Sequence, residues 1–119
     1  VTDRRRALGR AAEAYAATYL QRHGYEIVAR NWRCTAGELD LIARDGTVLV
    51  FVEVRASRLD ITRAIESIGL VKQRRLVALA QHYVAAHAPE PPDWRIDVLA
   101  LAWNNGVWQI HHLRAAVGE

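Results

Sequence analysis

Glu38, Asp40 and Glu53 flank one sharp turn, at spacings that would gather carboxylates on a single sheet face. Gly37-Glu38-Leu39-Asp40-Leu41-Ile42 leads through Arg44-Asp45-Gly46-Thr47 into Val48-Leu49-Val50-Phe51-Val52-Glu53-Val54-Arg55. Asp45-Gly46 is a strong two-residue hairpin signal between two apolar runs. With Arg44 paired to Thr47, Leu41 falls opposite Val50, Asp40 opposite Phe51 and Glu38 opposite Glu53. Strand side chains alternate faces with a period of two, so Glu38, Asp40, Phe51, Glu53 and Arg55 are expected on one face. Asp40 and Glu53 then become diagonal neighbours, roughly 7–8 Å apart at the backbone. Like charges so placed repel unless a cation lies between them. Hard oxygen ligands of this kind suit Mg²⁺ or Mn²⁺.

Charged residues on strands usually belong to a solvated face. Glu53, however, interrupts the most apolar run of the chain, and a buried carboxylate needs partners. Asp40 and Glu53 are therefore the principal candidates for metal ligation, and Glu38 is either a lesser ligand or only accepts hydrogen bonds beside them. Glu13 shares a helical face with Gly9, Ala16 and Leu20, an odd setting for a solvent-facing acid; it is either a third ligand or a rim residue beside the apolar stripe. Lys72 lies one turn before Leu76, on the line through Leu79 and Tyr83. It either snorkels from the apolar face or reaches the acids. The five histidines lack ligand spacing and Cys34 has no CxxC partner, which argues against zinc. The four tryptophans read as packing residues rather than base-stacking platforms.

The elements that must position these groups follow from periodicity. Leu8, Ala12, Tyr15 and Tyr19 recur at helical spacing over about Thr2 to His23, with Gly24 as a C-terminal cap. Tyr25 to Trp32 reads as extended, Arg33 to Gly37 as a polar loop, and two hairpin strands follow. Ala56 to Ile68 has no clear period and reads as a loop with some helical turn. A second helix is expected over Leu70 to His87, then a break over Ala88 to Asp93. A strand from Trp94 to Leu101, a turn at Asn104-Asn105-Gly106 and a strand from Val107 to Leu113 complete the chain. The order α-β-β-β-α-β-β implies an α/β fold, a mixed sheet flanked by helices in one domain over residues 1–119.

Composition sets the outer bounds. The chain has 119 residues, 51% hydrophobic and 24% charged, the balance of a folded globular protein. No apolar run approaches the roughly 20 residues of a membrane span, and a lone cysteine fits a reducing compartment, so a cytoplasmic location is expected. Net charge is +3, from 16 basic and 13 acidic residues. With three acids committed to a metal, the remaining surface is more basic still, and fifteen of the basic residues are arginine. Guanidinium groups suit bidentate phosphate contact. Arg4, Arg5, Arg6 and Arg10, with Arg74 and Arg75, could track phosphates, and Arg10, Arg74 and Arg75 are the leading candidate nucleic-acid contacts, although such helix faces are often merely solvated.

An acid placed before a second strand's acid-x-basic triplet, here Asp40 before Glu53-Val54-Arg55, resembles the layout of the PD-(D/E)XK nuclease superfamily. More closely, the chain resembles the small bacterial family typified by YraN. Gly9-Arg10-Ala11-Ala12-Glu13, Asn31-Trp32-Arg33, Gly37 to Ile42, Val50 to Arg55, Lys72-Gln73-Arg74-Arg75-Leu76 and Arg95-Ile96-Asp97-Val98 carry that likeness. The resemblance implies a restriction-endonuclease-like core similar to Holliday-junction resolvases. It also implies Asp40, Glu53 and Glu13 as metal ligands, and Arg55 at the catalytic basic position. That position is usually lysine. Arginine does not surrender a proton, so here it would offset charge, and Lys72 could stand in for the missing lysine. The expected activity is Mg²⁺- or Mn²⁺-dependent endonucleolytic cleavage of DNA, branched or otherwise structured, with a homodimer as in resolvases. The alternatives are a non-catalytic nucleic-acid-binding module of the same fold and a protein-interaction adaptor whose acids are structural.

Overall fold

The computed structural model describes residues 2–87 and 93–118. Helix α1 (Thr2–Arg22) is followed by strands β1 (Glu26–Cys34), β2 (Gly37–Asp45) and β3 (Val48–Ser57). A short helix α2 (Ile61–Glu66), helix α3 (Leu70–His87) and strands β4 (Trp94–Asn104) and β5 (Val107–Val117) complete the order. The five strands form one sheet in sequence order. Its pairs are antiparallel except for β3 and β4, which run parallel. A parallel pair needs a long crossover, and α2 and α3 provide it. The expected mixed α/β sheet flanked by helices is therefore present. Among the described residues no helix is long and apolar enough to cross a membrane.

The sheet is covered on both faces. Ala12, Ala16, Ala17 and Leu20 of α1 pack on Leu41, Ala43, Val50, Val52, Leu99 and Leu101, the alanines letting the helix axis approach the strands closely. Leu76, Leu79, Ala80 and Tyr83 of α3 pack on Leu39, Ile42, Phe51, Ile96 and Val98. Two-sided burial explains why β3 and β4 read as nearly continuous apolar runs. α1 ends where Gly24 takes φ +86° and the Tyr25 N–H returns to the Leu20 carbonyl at 2.9 Å, the left-handed stop that a side chain would resist.

Three local expectations need correction. The segment from Arg33 to Gly37 is a tight connection, since Arg33 and Cys34 continue β1 and pair with Glu38 and Gly37. Ala56 and Ser57 extend β3, and α2 is a true helix whose N-terminus is capped by Asp60 accepting from the Arg63 N–H at 2.8 Å. The hairpin turns one residue later than Asp45-Gly46 suggests. Asp45 pairs with Val48, and Leu41 lies opposite Val52 rather than Val50. Gly46 at φ +61° and Thr47 form the turn, matching a type II′ turn with glycine at its first central position. The break expected over Ala88 to Pro92 lies outside the described residues.

Candidate metal and phosphate site

The corrected register moves the pairing by two residues, which preserves faces and sets Asp40 across from Glu53 instead of diagonal to it. The regular ladder stops one pair earlier, at Leu41 and Val52. Leu39 packs under α3 whereas Leu41 packs under α1; two residues of like parity on opposite faces mean that the alternation breaks at Asp40. Its partner across β1 is also irregular: Asn31 is absent from the ladder between Arg30 and Trp32 and takes φ +51°. Asparagine tolerates that left-handed geometry better than most residues.

This matched kink distributes the acids differently from a flat hairpin. Glu53 stays on the Phe51 face, toward α3. Glu38 turns the other way, toward α1, so the expectation of one shared face for Glu38, Asp40 and Glu53 does not hold. Asp40 sits at the crossing point, accepting from the Val54 N–H at 2.9 Å. With the Asn31 amide oriented so that both its ends are satisfied, its nitrogen donates to Glu13 Oε1 at 2.8 Å and to Glu38 Oε1 at 3.2 Å. Asn31 thus ties the helix acid to the strand acid. Arg33 lies 3.6 Å from Glu38 on the exposed side.

Glu53 is only 2% exposed. Burial first, then the neighbouring Asp40 carboxylate, pushes its pKa up to about 8, against the opposing pull of Lys72 and Arg55. Glu13 rises to about 7, from burial and from Asp40 and Glu38. Oxygen-only donors that burial and a second carboxylate push toward protonation are chemically suited to a hard divalent cation. Among the described residues no three acidic, histidine or cysteine side chains form a ready metal cage. The facing pair Asp40 and Glu53 matches the one or two carboxylates by which Mg²⁺ is usually held, water completing its shell. Glu13 feels the Asp40 charge and is tied through Asn31 to Glu38 rather than to that pair.

The two basic candidates are both at Glu53 but are differently committed. Lys72 Nζ and Arg55 Nη1 each lie 3.5 Å from Glu53 Oε2. Arg55 also donates from Nε to Ser67 Oγ at 2.9 Å and from Nη2 to the Ser67 carbonyl at 2.8 Å, so its guanidinium clamps the α2–α3 junction to β3. Lys72 keeps donors for a ligand. Of the nucleic-acid candidates, Arg10 lines a small cleft with Glu13, Arg30 and Asn31. The stem of Arg75 lies beside Gly37 at the β1–β2 turn, and Arg74 is exposed on α3. Arg10 thus belongs to the helix on one face of the sheet and Arg74 and Arg75 to the helix on the other, so the three do not form one patch.

Asn31 and Ser67 escape a reading for ionisable groups. Asparagine inside a strand is unusual, and that is the signal it left. A second buried acid, Asp97, is a separate matter. It lies on β4 beside Val52, accepting from Arg95 Nε at 3.0 Å and the Ala115 N–H at 2.9 Å, with His112 Nε2 at 2.8 Å. Arg95 further reaches Tyr25 at 2.9 Å and Asp45 at 3.1 Å. In this closed network Arg95 and Asp97, on the same face of β4, pair structurally.

Residues 12–101 match the Uncharacterised protein family UPF0102, a span containing all the candidates above except Arg10. The chain is 55% identical over 117 residues to a UPF0102 protein of Chloroflexus aurantiacus, covering 97% of this chain and 96% of the relative. It is 51% identical over 123 residues to one of Roseiflexus castenholzii, covering 100% and 99%. A third, of Herpetosiphon aurantiacus, is 44% identical over 120 residues, covering 97% of both chains.

Proposed function

The chain belongs to the UPF0102 family, and from that premise we propose that it is a metal-dependent phosphodiesterase acting on DNA, within the PD-(D/E)XK nuclease superfamily. The observation that carries this reading is Glu53: a buried carboxylate facing Asp40, with a lysine and an arginine 3.5 Å from one of its oxygens. Burying the Glu53 carboxylate costs desolvation, and a buried acid held beside a second acid and two part-exposed cations marks a functional site. Asp40 and Glu53 would hold Mg²⁺ or Mn²⁺ with water completing the shell, and Glu13 would act on the site through its charge beside Asp40. The bound ion would act as a Lewis acid on a phosphate oxygen and lower the pKa of the attacking water. Lys72 offers its ammonium to the charge that develops on the phosphate. Arg55 positions Glu53 while pinning α2 to the sheet.

Cleavage of duplex, flap and four-way-junction DNA with Mg²⁺ or Mn²⁺ tests the reading. Wild type should cut at least one substrate, and Asp40→Ala should lose the activity by two orders of magnitude or more, about 3 kcal/mol of barrier. Tight DNA binding without cleavage in either metal would favour the non-catalytic module. The specific observation behind that second reading is Arg55, which occupies the usual lysine position but is spent on Ser67.

A further inference from the structure

A groove of about 680 Å³ runs from the candidate site between the N-terminal half of α1 and the far end of β3. Arg5 and Arg58 line it with Gly9, Leu8 and Ser57, and Arg55 stands at its inner end. A Cβ built on Gly9 meets nothing within 4 Å, so the α1 wall is open there. Leu8 and Arg58 also line a second cleft, which continues the groove to Trp103 and Trp108. Trp103 is 36% exposed and meets Trp108 edge-on at 5.0 Å, and Trp108 in turn lies 6.0 Å from Tyr15. The tryptophan ring is thus braced while part of it faces solvent. Among the described residues that line the two clefts, none is acidic.

Positive charge along a groove with a braced aromatic ring at its end suits one unpaired nucleic-acid strand. Guanidinium groups follow the backbone, and a base with a free face stacks on the ring. A blunt duplex keeps its bases stacked on one another and can use only the arginines. We propose that this path binds a single strand of DNA, Arg5 and Arg58 on its phosphates and a base on Trp103, so that the preferred substrate carries an unpaired tail leading away from the acids. The inference rests on the phosphodiesterase reading and names its substrate class.

Binding in chelator, without cleavage, separates the two. Anisotropy of labelled unpaired oligonucleotide, blunt duplex and tailed duplex at low salt should show the unpaired and tailed DNA bound more tightly than the blunt. Trp103→Ala should weaken tailed DNA by about 5- to 150-fold and leave blunt duplex unchanged, while Trp103→Phe keeps most of the affinity. Gly9→Leu blocks the groove without altering charge, in a helix that favours leucine over glycine. It should weaken tailed DNA with no loss of Tm. Arg5→Ala with Arg58→Ala should flatten the dependence of log K on log salt by about 1.4. Equal binding of blunt and tailed DNA, or wild-type affinity in both Trp103→Ala and Gly9→Leu, would overturn the path and leave the phosphodiesterase reading standing. No binding of any DNA at low salt would overturn both.

Discussion

Lys72 and Arg55 touch the same oxygen of Glu53 yet are not equivalent, because hydrogen bonding decides what each has left to give. Arg55 directs three nitrogens at Ser67 and Glu53. Its removal frees the α2–α3 junction and leaves a buried acid with one partner fewer. Arg55→Ala should therefore lower Tm, by a loss of roughly 1–3 kcal/mol, with the activity of the folded fraction reduced less than in Lys72→Ala. Lys72→Ala removes the positive charge that remains available to a phosphate, and kcat should fall by about 10²-fold or more with a smaller loss of Tm than in Arg55→Ala, since only Arg55 also holds Ser67. Parallel Tm and kcat measurements on the two variants distinguish the roles. The reverse pattern would make Arg55 the residue that offsets charge on the phosphate and Lys72 its support.

At the scale of elements, the long helices and most strands were legible because two-sided burial leaves strong periodicity. α3 begins at Leu70, as its apolar stripe indicated, and is helical up to His87, the last described residue before position 93. The hairpin was legible in kind and in face parity but not in register, since Gly46 can serve either central position of a two-residue turn. The kink at Asn31 and Asp40 was illegible: alternation rules assume a flat pleat, and the acids divide between two faces because the pleat is broken. α2 was missed because six residues with one buried side chain, Ala64, carry too little pattern. The kink makes its own prediction. Asn31→Gly keeps the positive φ but removes the amide linking Glu13 and Glu38, so it should fold with a loss of only about 1 kcal/mol and show a marked drop in cleavage. Asn31→Val opposes the left-handed backbone as well and should lose at least another 1 kcal/mol. Denaturant midpoints compare the two, and equal activity of Asn31→Gly and wild type would remove Asn31 from the site.

Across the whole molecule, Glu53 and Asp97 are the two buried charged residues among those described. They sit on adjacent strands, β3 and β4, and face opposite helices. Asp97 is enclosed by His112, the Ala115 N–H and Arg95, which together hold its carboxyl below the usual range in spite of burial. Its contribution to stability is therefore full above the unfolded pKa, about 3.8, and is lost as pH falls through the lowered folded value. Glu53 behaves oppositely. With a folded pKa of about 8 against 4.5, the folded protein holds more proton than the unfolded chain between those values. Stability then declines as pH rises through that window, by a few kcal/mol in all. In chelator, wild type should lose on the order of 10 °C of Tm between pH 5 and pH 9, and Glu53→Gln should flatten most of that decline. Mg²⁺ should restore wild type chiefly at the alkaline end, where Glu53 has given up its proton, and should do little for Glu53→Gln. Asp97→Asn should instead be destabilised near neutrality by about 1–3 kcal/mol, because it weakens the charge-assisted hydrogen bonds from Arg95 and His112 while Arg95 keeps Asp45. If Glu53→Gln and wild type followed the same Tm–pH curve with and without Mg²⁺, Glu53 would be a structural acid like Asp97, and the molecule would have no cation-dependent half.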